Sequence, residues 1–267
     1  MSELRTILRN HMKEKLGRGE VVASMTVRFV RSIEIAAIAK TAGFDTLYVD
    51  LEHNTLSIDT CCQICISAQQ IGITPLVRVP ANTPEYICRV LDGGAMGVIC
   101  PMVNTAAEAK QLADACLYPP AGKRSNGPIR AAMYGEASSY QATANNEILV
   151  IPMIETQQAI NNIDEILSVP GINGIYIGPS DMGLSLGMIP ILDREEPIIL
   201  EIYGKLLASC KRHGKFAGIH NGTAAYAARM MQMGFQLCTI ANDSGLMARA
   251  AREAVTATRK AAGEIAA

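Results

Sequence analysis

The sequence lacks an excess of charge of either sign, a long apolar run and an apolar N-terminal segment. Its formal net charge is −1 over 267 residues, whereas nucleic-acid-binding domains usually carry a basic patch or a high isoelectric point. No apolar run approaches the roughly 18 residues needed to span a bilayer. Met1–Glu20 is charged throughout and lacks the apolar core of a signal peptide. These absences predict a cytoplasmic protein that binds neither nucleic acid nor a membrane.

The eight cysteines show no pattern typical of a disulfide framework. Ile58, Cys61, Cys62 and Cys65 fall at i, i+3, i+4 and i+7, which is the spacing of the buried stripe of a helix. Cys62 and Cys65 also form a C-x-x-C pair, but a redox or metal motif needs a more exposed setting. We therefore predict buried thiols that behave as small apolar side chains.

Short apolar runs alternate with amphipathic segments along the chain. The predicted strands are Val21–Met25, Thr46–Asp50, Thr74–Val79, Gly97–Cys100, Ile148–Ile154, Gly174–Ile177, Phe216–Ile219 and Leu237–Ile240. The predicted helices are Leu4–Leu16 before the first strand, then Ser32–Thr41, Ser57–Ile71, Pro84–Leu91, Thr105–Leu117, Gln158–Leu167, Glu196–His213, Thr223–Met233 and Asn242–Ala262. This alternation indicates parallel strands joined by right-handed crossovers.

Eight strand–helix units in about 240 residues predict an α/β fold, a (β/α)8 TIM barrel with an extra N-terminal helix. The alternative is an open doubly wound sheet, although no G-x-G-x-x-G follows the first strand as its dinucleotide-binding version requires. No Pro/Ser-rich linker divides the chain, so residues 1–267 are expected to form a single domain. The longest irregular stretch is Tyr118–Tyr134, and a loop of this length is often functional.

Polar side chains interrupt the apolar pattern at the carboxyl ends of several predicted strands. In a barrel these ends meet at one mouth, where the chemistry of such folds takes place. The side chains are Asp50, Glu52 and His53 after the second strand, Arg78 in the third, Glu155 after the fifth, Asp181 after the sixth and His220 after the seventh. The sequence thus predicts one site that combines histidine, arginine and carboxylates.

Several of these residues also have a purely structural interpretation. Asp50 and Glu52 could cap helices or face solvent, and Asp181 could cap the helix that follows it. His53 could be a hydrogen-bonded structural histidine. Arg78 could pair with Glu155 as a structural ion pair. However, a carboxylate that ends a run as apolar as Ile148–Ile154 is costly to bury unless it is paired or binds a metal. Two carboxylates with few other ligands favour Mg²⁺ or Mn²⁺ over zinc, which prefers His and Cys clusters.

These residues lie in segments that resemble the HpcH/HpaI aldolase family, the class II pyruvate aldolases. The matching segments are Ala42-Gly43-Phe44-Asp45, Asp50-Leu51-Glu52-His53, Leu76-Val77-Arg78, Pro101-Met102-Val103, Tyr118-Pro119-Pro120-Ala121-Gly122, Ile154-Glu155-Thr156 and Ile177-Gly178-Pro179-Ser180-Asp181. Each segment is a weak signal alone. Together they occur in the order of the family, at barrel spacing, which makes the resemblance specific.

The resemblance implies a role for each polar residue at the mouth. Glu155 and Asp181 resemble the ligands of a divalent metal, which would be Mg²⁺, Mn²⁺ or Co²⁺. Arg78 resembles the arginine that holds the keto oxygen and the developing enolate. His53 resembles the catalytic base, which acts directly or through a metal-bound water. Asp50 is similar to a carboxylate that lies near the metal-bound waters.

The resemblance further implies contributions from the backbone and from a second subunit. Gly178, Pro179 and Ser180, together with the metal ligand that follows them, resemble the segment whose N–H groups hold the substrate carboxylate. Asp92 resembles a residue that a neighbouring subunit delivers to orient the histidine. The family implies a homo-oligomer, often a hexamer built as a trimer of dimers that exchange the last helix. Met153 departs from the glutamine that many members carry, which removes a hydrogen bond to substrate or to a metal-bound water.

The expected activity is reversible cleavage of 4-hydroxy-2-oxo acids to pyruvate, or another 2-oxo acid, and an aldehyde. A Schiff-base aldolase needs a lysine at a strand end, but Lys123 lies in the long loop and Lys215 precedes the seventh strand. A citryl- or malyl-CoA lyase resembles this barrel but carries an additional C-terminal lid domain. A non-catalytic binder of 2-oxo acids is the third alternative, and the presence of both His53 and Arg78 argues against it.

The acceptor aldehyde is expected to be recognised by loops, because the pyruvate half of the site uses the metal and the backbone. Arg28 follows the first strand, Lys123 and Arg124 lie in the long loop, and His220 follows the seventh strand. These cations and hydrogen-bonding groups predict an acceptor with a hydroxyl, carboxylate or phosphate. Alternatively, the three cations are solvated surface charges and His220 is a structural cap.

Overall fold

Eight parallel strands form a closed barrel in the computed structural model, which describes residues 9–133 and 137–264. The strands are β1 (Val22–Val27), β2 (Thr46–Asp50), β3 (Thr74–Arg78), β4 (Gly97–Cys100), β5 (Leu149–Ile154), β6 (Gly174–Ile177), β7 (Phe216–His220) and β8 (Leu237–Asn242). β8 pairs with β1 and closes the ring. The predicted (β/α)8 barrel is confirmed, and the open doubly wound sheet is excluded because that sheet leaves two unpaired edges.

Helices connect the strands and surround the barrel. They are α1 (His11–Gly17), α2 (Ile35–Thr41), α3 (Ile58–Gln70), α4 (Pro84–Asp92), α5 (Ala106–Cys116), α6 (Ala137–Glu147), α7 (Gln157–Asn161), α8 (Ile163–Ser168), α9 (Pro179–Ser185), α10 (Pro197–Arg212), α11 (Ala224–Met233) and α12 (Asp243–Ala261). Several begin at a Ser or Thr whose side chain accepts a backbone N–H three residues on, as at Ser57, Thr105 and Thr223. These caps stabilise the turns that follow the strands.

The predicted element boundaries hold to within about two residues at most ends, and the larger differences have local causes. The helix predicted over Gln158–Leu167 is two helices that meet at Asn162, which ends α7 and begins α8. α6 and α9 were not predicted. α9 begins with a proline at its first position, which suits a helix start. The helix predicted over Leu4–Leu16 is observed as α1, and residues 1–8 lie outside the described residues.

The strands alternate between two apolar layers. One layer fills the inside of the barrel and includes Tyr48, Leu76, Ile99, Ile151 and Tyr176. The other layer lies between the strands and the surrounding helices. Because side chains on a strand alternate between faces, residues two positions beyond an inward apolar residue also point inward at the carboxyl end. The polar residues at these ends therefore converge above the filled interior.

Most of the cysteines belong to the packed interior of the protein. All eight cysteines are free, and seven of them, including Cys61, Cys62 and Cys65 on α3, are buried. The predicted buried stripe of α3 is confirmed. Within residues 9–133 and 137–264, none of the helices combines the length and the hydropathy that crossing a membrane requires.

Candidate active site

A cavity of about 250 Å³ lies at the carboxyl ends of the strands. Its lining includes Arg28, His53, Arg78, Asp181 and His220, which come from five different strand–helix connections or strand ends. Gly178, Pro179 and Ser180 form another part of the wall. The closed barrel thus brings together most of the residues that the sequence places after its strands.

Asp50 and Arg78 form the centre of the site. The last residue pair of the β2–β3 register aligns them side by side. Arg78 donates from Nε to Asp50 Oδ1 at 2.8 Å and from Nη2 to Oδ2 at 2.6 Å. Arg28 donates from Nε to the same Oδ2 at 2.8 Å. Burial alone would raise the pKa of Asp50, but the two guanidinium groups outweigh it and lower that pKa to about 2. Asp50 is therefore a permanent anion between two cations.

Glu52 and His53 extend this cluster towards solvent. Arg78 Nη1 lies 2.9 Å from Glu52 Oε2, and the same oxygen lies 3.6 Å from His53 Nε2. Burial raises the pKa of Glu52, although the positive charge of Arg78 opposes this effect. Asp50 Oδ1 accepts the backbone N–H of Glu52 at 3.0 Å, which shapes the turn. The His53 side chain is 59% exposed, so the imidazole can meet a substrate that enters from solvent.

Glu155 lies buried at the end of β5. Its Oε1 accepts the backbone N–H of Met102 at 2.7 Å. Burial raises the pKa of Glu155 to about 7, and the negative charges of Asp181 and Glu52 add to this effect. Met102 adopts a φ of 55°, the left-handed region that non-glycine residues seldom occupy. Gly178 is also constrained, since a Cβ there would lie 2.7 Å from Glu155 Oε2. Met102 thus binds this carboxylate through its backbone, and the missing side chain at Gly178 makes room for it.

The donor set at this end of the barrel fits a hard divalent cation. Glu155 is buried beside the cavity, and Asp181 lines it from the first turn of α9. A carboxylate whose pKa is raised by burial and by like charges gains most from a nearby cation. Among the described residues, no three His, Cys, Asp or Glu side chains are grouped so as to hold a metal. Two protein carboxylates leave most positions of the metal free for substrate or water oxygens.

His220 is a buried residue that lines the cavity. Its Nδ1 shares a hydrogen bond of 3.1 Å with the hydroxyl of Tyr176, and that hydroxyl also bonds to Thr239. Burial and the positive charges of Arg28 and Arg78 lower the pKa of His220 to about 3. The ring is therefore neutral at physiological pH. As a neutral group it can bind a hydroxyl or carbonyl, but it adds no positive charge.

Some of the expected residues lie elsewhere. Asp92 is at the carboxyl end of α4, where Arg124 Nη2 donates to it at 2.6 Å, and neither residue lines the cavity of its own barrel. Arg124 is buried against Tyr118, while Lys123 pairs with Asp114. The expectation that Lys123 and Arg124 face the mouth is wrong. Their loop follows a helix and leads towards a strand, so it belongs to the opposite end of the barrel.

Glu52, which the sequence placed at the mouth without a specific role, links Arg78 to His53. The sequence alone did not identify two further residues of the site. Tyr176 positions His220, and the period-2 pattern of β6 places it on the same face as Gly178. Leu192 lines the cavity from the connection between α9 and α10.

Fully buried Arg194 anchors the connection that carries Leu192. It donates to the carbonyl of Ile189 at 2.8 Å and pairs with Glu196 at 2.8 Å. No local sequence pattern predicts this arrangement, because the surrounding segment Asp193–Glu196 is typical of a solvated, charged loop. These contacts of Arg194 hold the long connection between α9 and α10 in place, so that Leu192 can line the cavity.

Comparison with known proteins agrees with this barrel and this site. The sequence profile of the family described as HpcH/HpaI aldolase/citrate lyase matches residues 29–250. The chain is 39% identical over 217 residues to a hydroxypyruvate/pyruvate aldolase of Rhizorhabdus wittichii, which is 81% of this chain and 86% of that protein. It is 34% identical over 269 residues to a 4-hydroxy-4-methyl-2-oxoglutarate aldolase of Chaetomium globosum, which is 94% of this chain and 96% of that protein.

Solved structures show the same relationship. An HpcH/HpaI aldolase from Desulfitobacterium hafniense has a TM-score of 0.86 and 27% sequence identity, covering 92% of this chain and 96% of that one. The chain therefore belongs to the HpcH/HpaI aldolase/citrate lyase family, and it is an aldolase, a carbon–carbon lyase. Class II aldolases of this family generally depend on a divalent metal.

Proposed function

We propose that this aldolase reversibly cleaves 4-hydroxy-2-oxo acids to pyruvate, or another 2-oxo acid, and an aldehyde. The observation that carries the proposal is the single cavity that His53, Arg78 and Asp181 share. Glu155 lies beside it with a pKa raised by burial to about 7. The cavity thus combines an exposed base, a fixed cation and two carboxylates, and the relatives named as aldolases of 2-oxo acids support the assignment.

Glu155 and Asp181 would hold the divalent cation, for which Mg²⁺, Mn²⁺ and Co²⁺ are the suitable ions. When bound, such a cation supplies positive charge to the carboxylate and keto oxygens of the substrate as a Lewis acid. Met153 lines the cavity near Gly178. Because its thioether is a weak acceptor and no donor, this part of the wall orients the substrate by shape and contributes no strong hydrogen bond.

The protein side chains carry out the remaining steps. His53 removes the proton from the C4 hydroxyl, the C3–C4 bond breaks, and the aldehyde carbonyl forms at C4. The bonding electrons pass to the pyruvate unit as an enolate, and Arg78 stabilises the charge on its oxygen. His53, now protonated, returns a proton to C3 directly or through solvent, which completes pyruvate and regenerates the base. The uncapped N–H groups at the start of α9, next to Gly178 and Ser180, bind the substrate carboxylate.

The acceptor aldehyde would lie between Arg28 and His220, which both line the cavity. The Arg28 guanidinium donates from Nε to Asp50, and within residues 9–133 and 137–264 its other two nitrogens have no hydrogen-bond partner, so both can bind a ligand. His220 is held neutral, because burial lowers its pKa to about 3. A polar acceptor that carries a hydroxyl or a carboxylate suits this pair better than a plain alkyl aldehyde.

The terminal helix supports an assembly of several copies. Every residue from Met247 to Ala261 is exposed, and the strands that α12 packs against most are β8 and β1. Its apolar residues Leu246, Met247, Ala250, Ala254 and Val255 recur every three to four positions, which makes one apolar stripe. Such a stripe fits the barrel of a second copy. Asp92, which lies away from its own cavity, would then approach His53 of a neighbour in a homo-oligomer such as a trimer of dimers.

The test is the release of pyruvate from a 4-hydroxy-2-oxo acid, followed with lactate dehydrogenase and NADH. The wild-type protein with Mn²⁺ should produce pyruvate, and His53→Ala should lower kcat by roughly 10²–10⁴ with little effect on metal affinity. His213→Ala, which changes a histidine beside Asp164 on the surface, is the matched control and should keep its activity. Ligand-dependent stabilisation without any pyruvate would instead indicate a non-catalytic binder.

A further inference from the structure

Asp243, the first residue of α12, carries a buried carboxylate that binds four backbone N–H groups. Its Oδ2 accepts from Phe29 N at 2.8 Å and from Val30 N at 2.7 Å, and Arg28 N lies 3.1 Å from Oδ1 and 3.2 Å from Oδ2. Oδ1 also accepts from Ser244 N at 2.8 Å. Only 5% of Asp243 is exposed. This carboxylate therefore holds three consecutive N–H groups of the connection between β1 and α2.

An ionised carboxylate is the side chain that suits this position. Three successive N–H groups that converge on one point form a concave site for an anion. A carboxylate offers two acceptor oxygens and no donor, whereas an asparagine would turn its NH₂ group towards backbone donors. Hydrogen bonds to a charged acceptor are also about twice as strong as those between neutral groups. The conformation of residues 28–30 thus depends on the charge of Asp243.

The segment that Asp243 holds carries Arg28 into the active site. Arg28 lines the cavity and donates from Nε to Asp50 Oδ2 at 2.8 Å. Asp50 is fully buried and also binds Arg78. The four residues form one chain of contacts: Asp243 binds the Arg28 backbone, the Arg28 side chain binds Asp50, and Asp50 binds Arg78.

We infer that Asp243 is a positioning residue for the active site, acting through Arg28 on the Asp50–Arg78 pair. With Arg28 in place, part of the negative charge of Asp50 is offset by a second cation. Arg78 then keeps more of its own positive charge for the substrate oxygen. Without the Asp243 carboxylate the Arg28 backbone is free to shift, and Arg78 alone must neutralise Asp50. The catalytic consequence rests on the aldolase function proposed above.

Asp243 also connects the terminal helix to the catalytic centre. It is the buried first residue of a helix whose later turns, from Met247 onwards, are exposed. A movement of α12 at its first turn displaces the carboxylate and with it the N–H groups of residues 28–30. The position of the first turn of α12 therefore affects the position of Arg28.

The test is a double-mutant cycle in the retro-aldol assay with Mn²⁺. Asp243→Ala should lower kcat by about tenfold, and Asp243→Asn should lower it as well despite its similar size. Arg28→Ala should produce a comparable loss. In the Arg28→Ala background, Asp243→Ala should add almost nothing, because both substitutions break the same chain of contacts. Additive losses, or an unchanged kcat in both Asp243 variants, would overturn the inference.

Asp45→Ala is the matched control. Asp45 also binds a backbone N–H of β1, that of Ala23 at 2.9 Å, but at the opposite end of the strand. This substitution should lower the melting temperature and leave kcat unchanged. If Asp45→Ala reduced kcat as much as Asp243→Ala, the effect of Asp243 would be one of general stability, and the inference would fail.

Hydrogen exchange gives a readout that does not require activity. In Asp243→Ala the amides of Arg28, Phe29 and Val30 should exchange faster. The Glu52 amide, which donates to Asp50 at 3.0 Å, should also lose protection because Asp50 has lost its second cation. If the wild-type protein releases no pyruvate, the proposed function is refuted. The positioning role still stands in that case if Asp243→Ala loses protection both at residues 28–30 and at the Glu52 amide. An unchanged Glu52 amide would refute the positioning role itself.

Discussion

Arg78 donates two hydrogen bonds to the carboxylate of Asp50, from Nε at 2.8 Å and from Nη2 at 2.6 Å. The third nitrogen, Nη1, lies 2.9 Å from Glu52. The guanidinium plane is therefore fixed on two carboxylates, and its position does not depend on the substrate. Preorganised charge of this kind stabilises a developing anion without reorganisation during the reaction.

Replacing Arg78 by lysine should lower kcat by roughly 10²-fold, because an ammonium group cannot reproduce a planar fork on two carboxylates. Pyruvate release at saturating substrate measures this effect. Arg212→Lys, which alters a surface arginine that binds Asp164, is the control and should be active. Wild-type kcat in Arg78→Lys would show that only the positive charge at this position matters.

Removal of the metal should abolish activity. EDTA should stop pyruvate release, and Mg²⁺, Mn²⁺ or Co²⁺ should restore it. Glu155→Gln and Asp181→Ala should each lose Mn²⁺ binding in calorimetry, whereas Glu201→Gln, at an exposed ion pair with Lys205, should bind normally. Full activity of either variant under chelation contradicts the metal assignment. Inactivation by borohydride in the presence of pyruvate would indicate a lysine Schiff base instead.

The neutral His220 predicts a specific loss of stability in acid. Burial, together with the charges of Arg28 and Arg78, lowers its folded-state pKa from 6.5 to about 3. Below pH 6.5 the unfolded chain therefore binds a proton that the folded protein does not, and stability falls as the pH decreases towards 3. At pH 5 this single group costs about 2 kcal/mol.

His220→Asn should remove this cost, so that the free energy of unfolding falls less between pH 7 and pH 5 than in the wild type. Denaturant titrations at the two pH values measure the difference. An identical pH dependence for His220→Asn and the wild type would mean that, between pH 7 and pH 5, His220 takes up a proton in the folded protein as it does in the unfolded chain.

The apolar stripe of α12 predicts that charge on this helix weakens the assembly. Met247→Asp and Val255→Asp place carboxylates where two half-exposed apolar side chains would be buried by another copy. Sedimentation velocity should show a smaller species than for the wild type. Arg249→Ala, which changes a charged residue of the same helix, should leave the size unchanged. A monomeric wild type would contradict the oligomer directly.

Much of the barrel could be predicted because strand and helix periodicity are local properties. β2, β4 and β6 have the predicted bounds, since each is a short apolar run bounded by glycine, proline or polar residues. The extra helix α9 was missed because it is short and its pattern resembles a loop. The residues of the active site were recognised from their place at strand ends and from the family segments, not from any pairing visible in the sequence.

The sequence by itself determined the order of the elements and the set of polar groups at the carboxyl ends, because both follow from residues close together in the chain. Only the tertiary structure decided which groups meet. Arg78 binds Asp50, 28 positions away, and Arg124 is buried on Asp92, 32 positions away, instead of lining the mouth. Asp243 meets Arg28 across 215 positions because β8 closes on β1. Such pairs depend on register and barrel closure, which arise from the packing of all eight strands together.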